Sequence, residues 1–211
     1  MPRPWLGEEH SALAADRLLD AAGEVFAERG VRAATMAEVA GRAGCSRATL
    51  YNHFTDRRAL EVAYVHRRAL ELAAEVERRG AAAAGDDPAE RATGAFLTVL
   101  ELVRGDARLA AWFAAPDVGV AAEISGDSQV LTALASAFAG SLVPDLPPEE
   151  LRARGRWLVR MVVSFLAMPE DDPREERRVV RTAVVPALLA PARAVRGAAG
   201  REAAAREAAA R

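Results

Sequence analysis

With 211 residues and a formal net charge of −2, the chain is long enough to bury a substantial core and has no overall positive excess. A single cysteine, Cys45, excludes an internal disulfide framework and a cysteine-based zinc site. Hydrophobic residues make up 51% of the chain but aromatic residues only 5%, and good helix formers such as alanine, leucine, arginine and glutamate dominate. The composition predicts an all-α protein.

Two further observations concern location. Residues 1–10 contain no apolar run of the kind found in signal peptides. The longest apolar stretches, such as residues 161–168, are too short to span a bilayer. We therefore expect a cytoplasmic protein without a membrane partner.

The first periodic segment runs from about Ala12 to Arg29, where apolar residues recur on one helical face. Ser11 is a plausible N-cap, and Gly30 is a typical residue just beyond a helix. Residues 1–10 would then be a flexible arm.

The next two predicted helices are short. Thr35 and Glu38 have the spacing of a capping box, which starts a second helix that ends near Gly44. Ser46 can cap a third helix from Arg47 to about His53. Two short helices joined by a glycine-containing turn form a helix-turn-helix.

The rest of the chain shows further helical patterns. Asp56 can cap a long helix, and Asp87, Pro88 and Glu90 begin another after a small-residue linker. A kink is expected at Pro186. The predicted helices are 57–79, 88–105, broken helices between 106 and 143, 149–168 and 173–189, followed by an Ala/Arg/Glu low-complexity tail at 196–211.

Positive charge is concentrated around the helix-turn-helix. Between Arg29 and Arg58 there are six arginines against two acidic residues, a local excess of four positive charges. Such a cluster favours a DNA-facing surface.

The run from Thr35 to Leu60, TMAEVAGRAGCSRATLYNHFTDRRAL, resembles the DNA-binding head of the TetR family of transcriptional regulators. The similarity includes Thr35, the turn from Ala40 to Gly44, and the segment Thr49–Phe54. The resemblance implies a three-helix DNA-binding domain at 11–56 and a helical ligand-binding and dimerisation domain at 57–195. The sequence departs from the family pattern at Cys45, at Arg57, where the family usually has lysine, and at Arg58.

The third helix would enter the major groove of double-stranded DNA. Arg47, Ala48 and Asn52 are expected on its exposed side, facing the bases. The resemblance implies backbone contacts for Thr49, Tyr51 and His53, although Tyr51 could be packing only and His53 merely a surface residue. The predicted DNA-binding set is Thr35, Ser46, Arg47, Ala48, Thr49, Tyr51, Asn52, His53 and Arg57.

A second set concerns the body. The helices at 149–168 and 173–189 correspond to those that pair two protomers in the family, so we expect a homodimer on a palindromic operator. A pocket for an apolar or aromatic effector, if present, would be lined by Phe96, Leu100, Trp112, Phe113, Leu134, Phe138, Trp157 and Met161. The alternative is that these side chains form the core of the helical bundle.

The expected function is a repressor released from its operator by a small molecule, with no cofactor and no metal. An activator, or a regulator without an effector, is the alternative. Enzymatic activity is not expected, because the sequence has no HExxH, GxSxG, P-loop or dinucleotide motif. A helical adaptor would leave the arginine cluster and the Thr49–Phe54 segment unexplained.

Overall fold

The computed structural model describes residues 4–83 and 87–191, and the side chains at 13–80 and 87–191. Every regular element in these segments is helical, which confirms the all-α prediction. Within them, no helix is long and apolar enough to cross a membrane. The predicted tail at 196–211 and residues 1–3 lie outside the described residues, and the domain boundaries at 10, 56 and 195 stay predictions.

Three helices make up the head: α1 (Pro4–Arg29), α2 (Met36–Arg42) and α3 (Arg47–His53). The prediction that Ser11 caps α1 is wrong, since the helix begins at Pro4 and Ser11 lies inside it. Proline is favourable in a first helical turn because its missing N–H would have no partner there. The backbone of residues 4–10 is therefore helical, and the flexible arm at 1–10 stays a prediction.

The predicted caps of α2 and α3 are confirmed. Thr35 and Glu38 form both bonds of a capping box, and the Ser46 hydroxyl accepts from the Thr49 N–H at 3.0 Å. The turns after α1 and α2 contain Gly30 (φ 83°) and Gly44 (φ 70°), in the left-handed region that glycine adopts without strain. The helix-turn-helix is thus specified largely by local interactions.

The body begins with α4 (Arg57–Ala83), which runs four residues beyond its predicted end. It continues with α5 (Pro88–Gly105), α6 (Ala107–Ala110), α7 (Val118–Asp127), α8 (Gln129–Leu142) and α9 (Pro148–Ala167). The predicted caps at Asp87 and Asp172 are present, each carboxylate accepting from a backbone N–H of the helix it starts.

The last helical segment is interrupted just before its proline. α10 (Pro173–Val179) passes into a π-helical turn (Val180–Val184) and then α11 (Val185–Leu189). Val185 donates to the carbonyl of Val180, five residues back. Pro186 has no N–H, and its ring would clash with a carbonyl four residues back in a regular α-helix. The irregularity predicted at Pro186 therefore takes the form of a widened turn.

An aromatic cluster joins the head to the body. Phe26 of α1 packs edge-to-face on Tyr64 of α4 and on Trp112, with ring centroids 5.3 Å apart in both pairs. Tyr64 and Trp112 stack at 5.8 Å. Burial raises the pKa of Tyr64 to about 12, so its phenol remains neutral. These three rings form a direct apolar contact between the DNA-binding helices and the body.

Candidate functional site

The third helix presents almost all of its predicted DNA-contacting side chains to solvent. Ser46, Arg47, Ala48, Thr49, Tyr51 and Asn52 are exposed, and His53 is half-buried. Leu50 between them is fully buried and anchors α3 to the head. Tyr51 is 41% exposed, which argues against a role in packing alone. The surface therefore offers a guanidinium, an amide and several hydroxyl groups, the donors and acceptors that read base edges and phosphates.

Thr35 already has hydrogen-bond partners at the start of α2. Its N–H and its hydroxyl both donate to the Glu38 carboxylate, at 2.9 and 2.8 Å. These side-chain and backbone hydrogen bonds lower the pKa of Glu38. A phosphate oxygen approaching Thr35 would have to displace a carboxylate from the same donors.

Most arginines of the predicted positive cluster are paired with carboxylates. Arg42 binds Glu24 and Glu28 of α1, and Arg58 lies 3.2 Å from Glu123 of α7. Hydrogen bonding to Arg42 lowers the pKa of Glu28, so that pair is ionised at neutral pH. The local excess counted along the sequence is reduced in three dimensions, because α1 and α7 supply acids from outside the counted segment.

Arg47 differs from these arginines. Among the described side chains, no carboxylate lies within salt-bridge distance of its exposed guanidinium. Arg47, the arginine of α3, is therefore well placed to contact a base edge or a phosphate, because binding DNA would not require it to give up a protein partner.

Arg57, predicted to contact a phosphate, has hydrogen-bond partners inside the protein. Its guanidinium donates to the backbone carbonyls of Val31 and Ala34 and to the Glu61 carboxylate, which lies 2.7 Å from Nε. These bonds tie α4 to the turn between α1 and α2. The predicted phosphate contact of Arg57 would compete with three internal partners.

Asp117 binds the same turn, through the N–H groups of that turn. Its carboxylate is 3% exposed and accepts from the Val31 and Arg32 N–H groups, each at 2.9 Å. A Cβ on Gly30 would come within 2.7 Å of Asp117 Oδ2, so the carboxylate fits against glycine at this point. Although Asp117 precedes α7, its side chain makes no capping bond to that helix. These two hydrogen bonds connect the body to the backbone segment that precedes Thr35 and α2.

A large cavity lies inside the body. Its volume is about 1090 Å³, and its wall is formed mainly by apolar side chains of α4, α5, α7, α8 and α9. The segment that carries Asp117 also contributes to this wall, through Trp112 and Phe113 before it and Ala121 and Ser125 after it. The cavity is at the upper end of the sizes found for small-molecule sites.

Comparison with known proteins identifies the family. Residues 18–64 match the family described as bacterial regulatory proteins, tetR family. The HTH-type transcriptional regulator Rv1255c of Mycobacterium tuberculosis is 43% identical over 182 residues, covering 86% of this chain and 89% of that protein. The chain belongs to the TetR family. It is a helix-turn-helix transcriptional regulator, and the resemblance seen at Thr35–Leu60 is confirmed.

Solved structures share the fold of this TetR-family regulator. RolR in complex with the ligand resorcinol superposes with a TM-score of 0.63 at 20% identity, over 86% of this chain and 88% of RolR. The TetR family repressor AlkX from Dietzia sp., implicated in biodegradation of n-alkanes, gives a TM-score of 0.61 at 21% identity, over 82% and 93%.

Five of the eight side chains predicted to line a pocket in this TetR body do line the cavity: Phe96, Trp112, Phe113, Leu134 and Phe138. The prediction needs correction for Leu100, Trp157 and Met161, which do not contribute to the wall. Leu100 is 1% exposed and belongs to the packed core. On α9 the wall is formed by Leu158, Val159, Val162, Val163 and Leu166. Trp157 and Met161 lie on the neighbouring face of that helix.

Sequence reasoning missed Asp117. An aspartate before a helix is ordinarily interpreted as an N-cap, and nothing near it in sequence indicates partners 85 and 86 residues away. On α9 the wall carries the apolar repeat Leu158, Val162 and Leu166, but Trp157 and Met161 give an equally apolar repeat on the neighbouring face, so the sequence did not distinguish the two faces.

Proposed function

We propose that this TetR-family regulator is a homodimeric repressor that binds a palindromic operator through α3 and leaves it when a small molecule occupies the body cavity. The observation that carries this proposal is the position of Asp117. The segment from Trp112 to Ser125, which includes the start of α7, forms cavity wall on both sides of Asp117, and Asp117 itself holds the turn before α2 by two hydrogen bonds. A change in the cavity would therefore reach the DNA-binding head over a short distance.

The DNA contact rests on the exposed side of α3. Arg47 and Asn52 carry the bidentate donor and acceptor groups that distinguish guanine and adenine in the major groove. Thr49, Tyr51 and His53 would position the helix through phosphate contacts.

The dimer rests on the last helical segment. After Arg181, the exposed residues of this segment are small or compact, namely Thr182, Ala183, Pro186 and Ala187, which would allow two helices to approach closely there. An isologous dimer through this face and α9 would present two α3 helices to the two half-sites of a palindrome.

The proposal of a small-molecule effector is supported by the cavity and by two of the solved structures with a similar fold. One of them is complexed with resorcinol, and the other is a repressor implicated in n-alkane biodegradation. A ligand that binds one conformation of the body more tightly than the other shifts the equilibrium between the states that bind and release DNA. The mainly apolar wall favours an apolar or aromatic molecule.

The test is selection of bound sequences from a random duplex pool by the purified full chain, followed by titration of the enriched sequence at two salt concentrations. We expect a palindromic sequence bound by two protomers. Enrichment of a single half-site bound by one protomer would contradict the dimer. The absence of any enriched sequence with folded protein would contradict sequence-specific binding through α3.

A further inference from the structure

The exposed side of α9 carries a row of three arginines. Arg152, Arg156 and Arg160, the arginine row, are exposed and follow one another at intervals of four residues. Residues four apart on a helix are neighbours, so three like charges in this arrangement repel one another. Among the described side chains, no carboxylate lies within salt-bridge distance of the row, whereas Arg154 of the same helix binds Glu150. Acidic groups supplied by another molecule would therefore stabilise the row.

A seam of apolar and small side chains runs beside this row. Trp157, Met161 and Ser164 are spaced by four and three residues along α9, and Met168 follows the last residue of the helix. The first three are only partly buried, and Met168 is 71% exposed. All four lie outside the described cavity wall. Side chains spaced by four and three residues share one helical face, and such a face is typical of helices that pair with another helix.

The loop after α9 supplies acids of opposite charge. Glu170 and Asp171, the acidic segment, are exposed, and no arginine of the described part of the chain lies within salt-bridge distance of either carboxylate. The next acid, Asp172, accepts from a backbone N–H at the start of α10. Arg156, at the centre of the row, lies 11 residues, about 16 Å, before the end of α9. The centre of the row and the acidic segment can therefore meet only between two molecules.

We propose that the arginine row of one protomer binds the acidic segment of a second copy, so that the two α9 helices pair in antiparallel orientation along the seam. This proposal rests on the proposed homodimer. In a two-fold symmetric dimer the contact forms twice, because each protomer presents both surfaces. An antiparallel pair that crosses near Met161 and Ser164 places the N-terminal half of one α9 beside the C-terminal end of the other. A parallel pair would set row against row, and like charges facing each other at an interface are unfavourable.

Charge reversal on each side tests the pairing. The double variants Arg152→Glu with Arg156→Glu, and Glu170→Arg with Asp171→Arg, each place like charges opposite one another in both copies of the contact. We expect each double variant to raise the dimer dissociation constant about tenfold, measured by sedimentation of the full chain, because several exposed ion pairs become repulsive together. An unchanged dissociation constant for either double variant would overturn the proposal.

A mixture of the two double variants makes the test specific. In a mixed dimer the reversed row faces the reversed segment, and the natural row faces the natural segment, so both contacts are attractive. We expect mixed dimers to outnumber the two homodimers and to associate about as tightly as the wild type, counted by native mass spectrometry of differently tagged chains. A statistical mixture would overturn the proposal, because misfolding or a general charge effect weakens all three dimers alike.

A matched control makes the same change of net charge elsewhere on the protein. Arg17→Glu with Arg91→Glu also replaces two exposed arginines, one on α1 and one on α5. This control should dimerise like the wild type. Equal weakening of the dimer by the control would overturn the proposal, since the effect would then come from net charge.

The salt dependence of the wild-type dimer needs no variant. Salt screens exposed ion pairs, so the dissociation constant should rise several-fold between about 0.05 M and about 0.5 M sodium chloride. A dimer insensitive to salt would overturn the proposal. Failure of the proposed function gives a different result: a wild-type chain that stays monomeric contradicts the homodimer itself, whereas a wild-type dimer unaffected by charge reversal overturns only the pairing of row and segment.

Discussion

The head and the body of this regulator are packed in different ways. In the head, Ala22, Val39 and Leu50 are buried to 1% exposure or less in a close-packed core. The helices of the body instead surround a cavity of about 1090 Å³. Side chains that face a void lose dispersion contacts, which lowers the stability of the surrounding structure.

This difference separates two requirements. DNA reading needs a rigid arrangement of α3, because base contacts depend on accurate positions of donors and acceptors. Effector control needs a region whose free energy changes when a small molecule enters it, since a ligand stabilises the state that it binds. The two requirements meet at the turn between α1 and α2, whose N–H groups donate to Asp117 and whose carbonyls accept from Arg57.

The largest effect is expected from breaking this connection. Asp117→Ala would leave the buried Val31 N–H and the partly buried Arg32 N–H without an acceptor, so we expect the free energy of unfolding to fall by about 2–4 kcal/mol. The measurement is urea denaturation, with operator affinity determined in parallel. Glu123→Gln is the control, because the exposed pair with Arg58 contributes less than about 1 kcal/mol. Equal effects of the two variants would show that the Asp117 hydrogen bonds carry no special role.

The same substitution in both regions tests the packing difference directly. Ala22→Leu in the head should destabilise the protein by about 1–3 kcal/mol, because Ala22 is fully buried and has no space beside it. Ala95→Leu on the cavity wall should stabilise it by about 0.5–2 kcal/mol, because it fills empty volume. Both are helical alanines, so helix propensity cancels. Destabilisation by both variants, seen in thermal or urea unfolding, would mean that the wall is as tightly packed as the head.

Arg47→Ala tests whether α3 reads bases. We expect specific binding to weaken by about 1–3 kcal/mol if the guanidinium contacts a guanine, with a smaller effect on non-specific binding. Affinities for the selected operator and for a scrambled duplex, measured at one salt concentration, decide the question. A uniform loss on both duplexes would assign Arg47 to the phosphates instead.

Arg57→Ala tests the boundary between the regions. The side chain donates to two backbone carbonyls and to Glu61, so we expect its removal to lower the free energy of unfolding by about 1–2 kcal/mol. The salt dependence of operator binding should stay unchanged. A reduction of that slope by about one unit would instead support the phosphate contact predicted from the sequence.

The smallest effect concerns the pH dependence of the body. Burial lowers the pKa of His66, whose Nε2 lies 3.0 Å from the Ser128 hydroxyl at the start of α8. A histidine with a depressed pKa in the folded state stabilises the protein above pH 6.5, its ordinary pKa, and loses that contribution as the pH falls through the folded pKa. His66→Gln should therefore flatten the fall in stability as the pH drops below 6.5, measured as the free energy of unfolding across pH. An unchanged pH profile would remove His66 from the groups responsible.

The head could be predicted from the sequence to a large extent. Its signals are local: a capping box at Thr35 and Glu38, a second cap at Ser46, and a glycine at position 44 where a positive φ is needed. The predicted start of α1 was wrong. Ser11 is a good capping residue, but Pro4 is also favourable in a first helical turn, and the helix begins there. In the body, the helices and most aromatic wall residues could be predicted, but not which face of α9 lines the cavity. Trp157 and Met161 fit the apolar pattern as well as Leu158 and Val162 do.

The sequence by itself determined the helical class, the helix-turn-helix and the family, because caps, turns and apolar periodicity depend on residues a few positions apart. The tertiary structure alone decided the partners of Asp117 and Arg57, the pairing of arginines with distant acids, and the cavity wall. The bonds of Arg42 to Glu28, of Arg57 to Val31 and of Asp117 to Val31 join residues 14, 26 and 86 positions apart, and backbone groups such as the Val31 N–H and C=O leave no mark in the sequence. Which side chain meets such a group is settled only when the helices pack.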